Sequence, residues 1–262
     1  MNMFTARRFI RYMLLSGHKK GHGIHSPFVF DVVSKVFRNK IDPRVVFTIE
    51  QIRRKLITCQ EVLEVNDLGA GSARMKTRSR KVSDIVKYSS VPEKYGILLA
   101  NMSVAFGGSM ILEFGTSLGI STMYLASAVP GVPVITMEGC SLTAGLAARS
   151  FKEAGMENIR VMTGSFDDLL PQVEGEGNIP GLVFIDGDHR SGSVLRYFDR
   201  VARMSDSKTV VIIDDINLSR GMAEAWNEIR NDRRVTATID IFRMGIVFFR
   251  EGINRYDYVI RY

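Results

Sequence analysis

The sequence predicts an α/β fold: a mostly parallel sheet with helices on both faces and a terminal antiparallel hairpin, preceded by a helical region. Three observations carry this reading. From residue 109 onward, short apolar runs alternate with stretches of helical periodicity, the pattern of a parallel sheet with right-handed crossovers. Residues 109–125 read as strand, glycine turn and helix start, with Gly115 and Gly119 four apart. Near the end, Val235–Ile241 and Met244–Phe249 are joined only by Phe242-Arg243, too close for a crossover helix, so they pair antiparallel.

The elements follow in order. Residues 3–16, 27–38 and 43–58 have apolar positions at helical spacing, broken by Gly21-His22-Gly23 and by Asp42-Pro43, where proline suits a helix start. Residues 66–82 are polar, glycine-bearing and basic; they read as a loop running into a helix near Val82–Tyr88. Pro92 opens another helix to about Val104. Strands are expected at Met110–Phe114, Pro133–Glu138, Ile159–Thr163, Leu182–Asp186 and Thr209–Asp214. Helices near 120–129, 142–154, 166–172, 191–204 and 218–230 separate them, and Tyr256–Ile260 adds a short last strand. The organisation is therefore a helical cap region over 1–90 and a main domain over 91–262.

A chain of 262 residues with 45% hydrophobic content buries a full α/β core. No apolar run approaches the roughly 18 residues needed to span a bilayer, and Met13-Leu14-Leu15 is too short for a signal-peptide core, so a cytoplasmic protein without membrane insertion is expected. Cys59 and Cys140 are too few for a disulfide framework. The charge is uneven: residues 1–60 hold twelve Lys/Arg against three Asp/Glu (+9), leaving −2 of the net +7 for the rest. Such a segment is either a solvated helical face or a surface for nucleic acid or anionic lipid.

Ligands of open α/β sheets sit beyond the carboxyl ends of the strands, so those residues are the candidates. The turn Glu113-Phe114-Gly115-Thr116-Ser117-Leu118-Gly119-Ile120-Ser121 lacks the third glycine of a dinucleotide loop and suits a ligand without phosphates. Glu113 would repel phosphate but can face an ammonium group, which points to the amino-acid end of S-adenosylmethionine (SAM). Glu138, followed by Gly139, ends the second strand where a carboxylate can accept from ribose hydroxyls, or serve as a helix N-terminal charge. Ser165 and Phe166 end the third, placed for the edge and face of an adenine ring or for simple helix capping. Asp186, Asp214 and Asp215 converge at the ends of the fourth and fifth strands and need a compensating cation or protons; a hard divalent ion is one solution. His189 is a side chain able to accept a hydroxyl proton near neutral pH, or a plain surface histidine.

Together these residues resemble the class I SAM-dependent methyltransferases, within them the O-methyltransferases related to catechol O-methyltransferase and the macrolide-sugar O-methyltransferases. The resemblance covers about residues 90–250 and rests on the entry Ser90-Val91-Pro92-Glu93-Lys94-Tyr95-Gly96, the turn at 112–121, Glu138, Gly164-Ser165-Phe166, Ile185-Asp186-Gly187-Asp188-His189 and Ile213-Asp214-Asp215. It implies a Rossmann-like sheet of seven strands in the order 3-2-1-4-5-7-6. It also implies cofactor contacts at Glu113, Gly115, Gly119, Ser121, Glu138 and Ser165, beside which Thr116, Ser117, Gly139, Phe166 and Asp186 are further candidates, and Mg²⁺ ligands at Asp186, Asp214 and Asp215. Where the catechol enzymes carry a lysine base this chain has His189, so His189 or Asp186 is the expected proton acceptor.

The expected activity is methyl transfer from SAM to an oxygen of a small or medium acceptor, with Mg²⁺ assistance implied by the resemblance. An RNA acceptor reached through the basic N-terminal region and a SAM-binding module without turnover stay open, as does a homo-oligomer. The stretch Asp67-Leu68-Gly69-Ala70-Gly71-Ser72 imitates a second cofactor turn but lacks a flanking amphipathic helix; it reads as a lid, a substrate contact or a surface loop.

Overall fold

The computed structural model describes residues 3–16, 23–66, 77–253 and 255–262. Three helices open the chain: α1 (Met3–Leu15), α2 (Pro27–Ser34) and α3 (Pro43–Thr58), with a 3₁₀ turn at Val36–Arg38 after α2. Proline stands at the start of α2 and of α3, where its missing N–H costs nothing, and the preceding Ser26 and Asp42 cap the free amides of Val29 and Arg44. Two short strands follow, β1 (Val62–Glu64) and β2 (Ser79–Lys81), paired antiparallel. β2 corrects the expectation of loop over residues 66–82, and β1 was not expected: these runs are too short and too charged to read as strand, and only the pairing reveals them. Helix α4 (Val82–Ser89) starts where expected, and α5 (Glu93–Phe106) follows Pro92. The stretch Asp67–Ser72, and Gly21-His22, lie outside the described residues.

The main sheet then builds by regular alternation: β3 (Ile111–Phe114), α6 (Ile120–Ser127), β4 (Val134–Glu138), α7 (Ser141–Glu153), β5 (Ile159–Thr163), α8 (Phe166–Gly175), β6 (Leu182–Ile185), α9 (Ser191–Arg203), β7 (Val210–Ile213) and α10 (Arg220–Asn231). The chain closes with β8 (Ala237–Asp240), β9 (Gly245–Phe248) and β10 (Tyr256–Val259). Strand order across the sheet is β10-β8-β9-β7-β6-β3-β4-β5. Counted from β3, this is the expected 3-2-1-4-5-7-6 arrangement with one strand added: β10 pairs parallel to β8, so the sheet has eight strands. Only β9 runs against its neighbours, antiparallel to both β7 and β8.

Every residue of β3, β6, β7, β8 and β9 is buried, as strands covered on both faces require. Alternation divides them between two cores. Ile111, Phe184, Ile212 and Ile246 pack with α2–α7, while Leu112, Val183, Val211 and Val247 pack with α8–α10. Close approach is needed at Gly245, where a Cβ would lie 2.5 Å from the Trp226 ring of α10. Helices α2, α3 and α4 share the first core rather than forming one of their own. Among the described residues no helix is long and apolar enough to cross a membrane.

Candidate functional site

The ends of β3 to β7 open onto one cavity of about 400 Å³, a volume typical of a small-molecule site. Its floor is the turn after β3. Gly115 has φ +101°, and a Cβ there would lie 2.4 Å from the backbone oxygen of Asp186, so the turn seats against the end of β6 only because the residue is glycine. The amides of Gly115 and Thr116 both donate to the Met137 carbonyl, at 3.0 and 3.2 Å, which ties the turn to β4. The Thr116 hydroxyl meets that of Thr136 at 2.6 Å. Ser117, in the left-handed region at φ +49°, donates its amide to Glu138 Oε2 at 2.7 Å, and the Cys140 amide donates to Glu138 Oε1 at 2.9 Å. Glu138 therefore braces the turn and the start of α7 while it lines the cavity with Ser121 and Gly139.

Ser165 caps α8, accepting from the Asp168 amide at 3.2 Å and donating to Asp168 Oδ2 at 2.5 Å, and it lines the cavity as well. Phe166 stands edge-on to Phe114 and Tyr197, with ring centroids 5.5 and 5.6 Å away. Gly187 leaves room for that ring, since a Cβ there would lie 2.6 Å from it.

Two expected cofactor contacts do not reach the wall. Glu113 is fully buried beneath the turn, where its Oε2 accepts from Thr122 at 2.5 Å and Thr136 at 2.7 Å; strand alternation turns it toward the first turn of α6. Its Oε1 has no partner at hydrogen-bond geometry among the described residues, and burial pushes the carboxyl above the ordinary range against the pull of the Ser121, Thr122 and Thr136 hydroxyls. Gly119 precedes α6 at φ +82°, and a Cβ would lie 2.4 Å from the Phe151 ring, so its place is set by packing on α7.

The far side of the cavity holds the acids. Asp186 and Asp215 line it with His189, whose Nε2 lies 3.7 Å from Asp186 Oδ1 and 4.0 Å from Asp215 Oδ2. Burial and the neighbouring Asp214 and Asp215 push Asp186 well above the ordinary carboxylate range; burial and Asp214 raise Asp215, opposed by His189 and Arg243. Asp214 is not on the wall. It is fully buried, and Arg243 clasps both its oxygens: Nε donates to Oδ1 at 2.9 Å and Nη2 to Oδ2 at 2.6 Å. The three residues implied as Mg²⁺ ligands therefore do not fit an ion as they stand, and no trio of acidic, histidine or cysteine side chains among the described residues is grouped to hold one. The compensating cation is a guanidinium.

Arg243 and Tyr197 were not singled out in the sequence, and both line the cavity. A lone basic residue in a two-residue turn between apolar strands was the one signal for Arg243. Tyr197 falls on the buried stripe of α9 with Val194, Phe198 and Val201 and so reads as core. Val65, Arg80, Tyr88 and Val91 bring the N-terminal region to the same cavity.

Comparison with known proteins gives the following. Residues 112–216 match the family described as a methyltransferase domain. The chain is 32% identical over 130 residues to a catechol O-methyltransferase of Niastella koreensis, covering 48% of this chain and 58% of that one. It is 31% identical over 130 residues to the O-methyltransferase imqG of Aspergillus flavus, covering 47% and 51%. The chain thus spans little more than half the length of these relatives. Among solved structures, the O-methyltransferase TomG of Streptomyces achromogenes in complex with SAM aligns with a TM-score of 0.57 at 20% identity, covering 85% of this chain and 96% of that one. An O-methyltransferase of Bacillus cereus in complex with SAH aligns at 0.55 with 22% identity, covering 84% and 97%. These two likenesses show the fold.

Proposed function

From a chain that resembles the class I SAM-dependent methyltransferases in sequence and shares their fold, we propose an enzyme that transfers a methyl group from SAM to a hydroxyl oxygen of a small or medium acceptor. The observation that carries this reading is the convergence of five strand ends on one cavity with two chemically distinct sides. On one side lie the Gly115 turn, Glu138, Ser165 and Phe166; on the other lie Asp186, His189 and Asp215.

The residues present fit SAM. Glu113 Oε1 is a buried acceptor without a partner just under the turn, suited to an ammonium group through Ser121 or a water. Glu138 holds the turn rigid and lines the cavity as a carboxylate able to accept from ribose hydroxyls. Phe166, fixed by two aromatic neighbours, offers an apolar wall for adenine. When bound, SAM would supply an electrophilic methyl group to the acceptor oxygen, with SAH leaving in line as the carbon–sulfur bond breaks. Rate enhancement then rests on alignment, for which well-oriented groups contribute about 7–11 kcal/mol. His189 Nε2 receives the acceptor's proton, and the Asp186 and Asp215 carboxyl groups, 3.7 and 4.0 Å from it, stabilise the imidazolium so formed. The N-terminal region, through Arg80, Tyr88 and Val91, closes one wall and selects the acceptor.

Calorimetric titration with SAM and with SAH tests the cofactor. Release of SAH is then followed over panels of hydroxylated aromatics, sugars and RNA. No binding of SAM or SAH would sink the proposal; SAM binding without turnover on any panel would favour a module without catalysis. An RNA acceptor would announce itself by steeply salt-dependent binding lost on deleting residues 1–60.

A further inference from the structure

We infer that Arg243 fills, as a covalently attached cation, the place at the acceptor side where a divalent ion would otherwise sit, so that this site is complete without a metal. The inference rests on the proposed function for what lies beside it, not for the geometry itself.

Registers bring the groups together. Ile185 of β6 pairs with Ile213 of β7, which sets Asp186 and Asp214 side by side at the strand ends. Ile213 also pairs with Gly245 of the antiparallel β9, which brings Arg243, two residues earlier in the β8–β9 turn, over Asp214-Asp215. That turn is fixed: the Ile216 amide donates to the Arg243 carbonyl at 3.1 Å, and Asn217 Nδ2 donates to the Phe242 carbonyl at 2.7 Å. The guanidinium is fixed too, forked onto both oxygens of Asp214 and lying 5.5 Å from the centre of the Tyr95 ring. A forked pair with one partner fully buried is among the most persistent ionic contacts, because releasing either member strands a charge away from water.

Two consequences follow. Asp214 cannot coordinate an ion unless Arg243 first leaves, and a divalent ion approaching Asp186 and Asp215 meets the guanidinium's positive charge. Meanwhile Nη1 of Arg243 has no hydrogen bond among the described residues and the side chain, 26% exposed, faces the cavity. It is free to donate to the acceptor oxygen and so position it. The chain keeps the acids that the resemblance associates with Mg²⁺ but answers their charge from the last hairpin.

The test titrates the full chain, first stripped with chelator, with Mn²⁺ followed by electron paramagnetic resonance, while calorimetry follows SAM separately. Wild type is expected to take up no stoichiometric Mn²⁺ at millimolar concentration, with or without SAM. Arg243→Met, which leaves the acids without their cation, is expected to gain at least roughly tenfold in Mn²⁺ affinity, while Arg243→Lys stays indifferent. One Mn²⁺ bound tightly by wild type would overturn the inference, as would a folded Arg243→Met protein with no gain. Should that variant not fold, the wild-type titration decides alone. Failure to bind SAM would count against the proposed function and leave the Mn²⁺ result readable.

Discussion

Replacing Gly115 by alanine tests the close seating of the cofactor turn, and Gly155→Ala supplies its control. Both glycines have left-handed φ, +101° and +66°, so each substitution carries the conformational penalty of an L-residue there, about 1–2 kcal/mol. They differ in what the new methyl group meets. At Gly155 nothing lies within 4 Å; at Gly115 the methyl would fall 2.4 Å from the Asp186 oxygen and 2.9 Å from its carbonyl carbon, both backbone atoms that cannot rotate away. Relieving that overlap means parting the turn from the end of β6, at about 1–3 kcal/mol as for other overpacked sites. Gly115→Ala is therefore expected to lose about 2–5 kcal/mol of unfolding free energy and Gly155→Ala only the first part. Urea unfolding read by circular dichroism measures both, and calorimetry should show weaker SAM binding only for Gly115→Ala. Equal losses for the two variants would refute the seating of this turn on Asp186.

Glu113 gives a pH signature. Its folded pKa is raised by burial, so ionisation is a cost to the ligand-free fold that begins above the ordinary carboxylate range and is complete above the raised value. Wild type should therefore gain stability relative to Glu113→Gln as pH falls through that window, and denaturation at a series of pH values would expose the opposite sign. If an ammonium group settles near Oε1, SAM binding should also release protons, seen as buffer-dependent heats. His189→Ala is expected to lower the turnover rate by roughly 10²–10⁴-fold with SAM affinity little changed; loss of SAM binding instead would move His189 out of the proton-accepting role. Tyr12→Phe removes a hydroxyl that donates to the Ile260 carbonyl at 2.7 Å and accepts from the Tyr262 amide at 3.2 Å. Stripping these buried partners should cost about 1–3 kcal/mol of stability, and no change on thermal unfolding would show that α1 is not anchored there.

Much of the sheet was legible because its signals are local. An unbroken apolar run such as Val210–Ile213 marks a strand buried on both faces, and two residues between β8 and β9 admit only an antiparallel turn. The last strand, near Tyr256, was expected, but its parallel pairing beside β8, which makes the sheet eight-stranded, depends on a partner the local pattern does not name. The small β1–β2 pair escaped for the same reason. Within the site, Glu138, Ser165 and Phe166 lie on the cavity because a strand end is a position that counting can find.

The sequence alone determined which residues cluster beyond the carboxyl ends of the strands, since alternation of βα units places them there whatever the packing. Tertiary structure decided what each does once there. Glu113 turned inward to two threonines, and Gly119 became a packing contact for Phe151. The cation for Asp214 came from a residue 29 positions away. These outcomes depend on side-chain direction and on pairing between distant segments. Both are fixed only when the sheet assembles and burial forces every charge to find its partner.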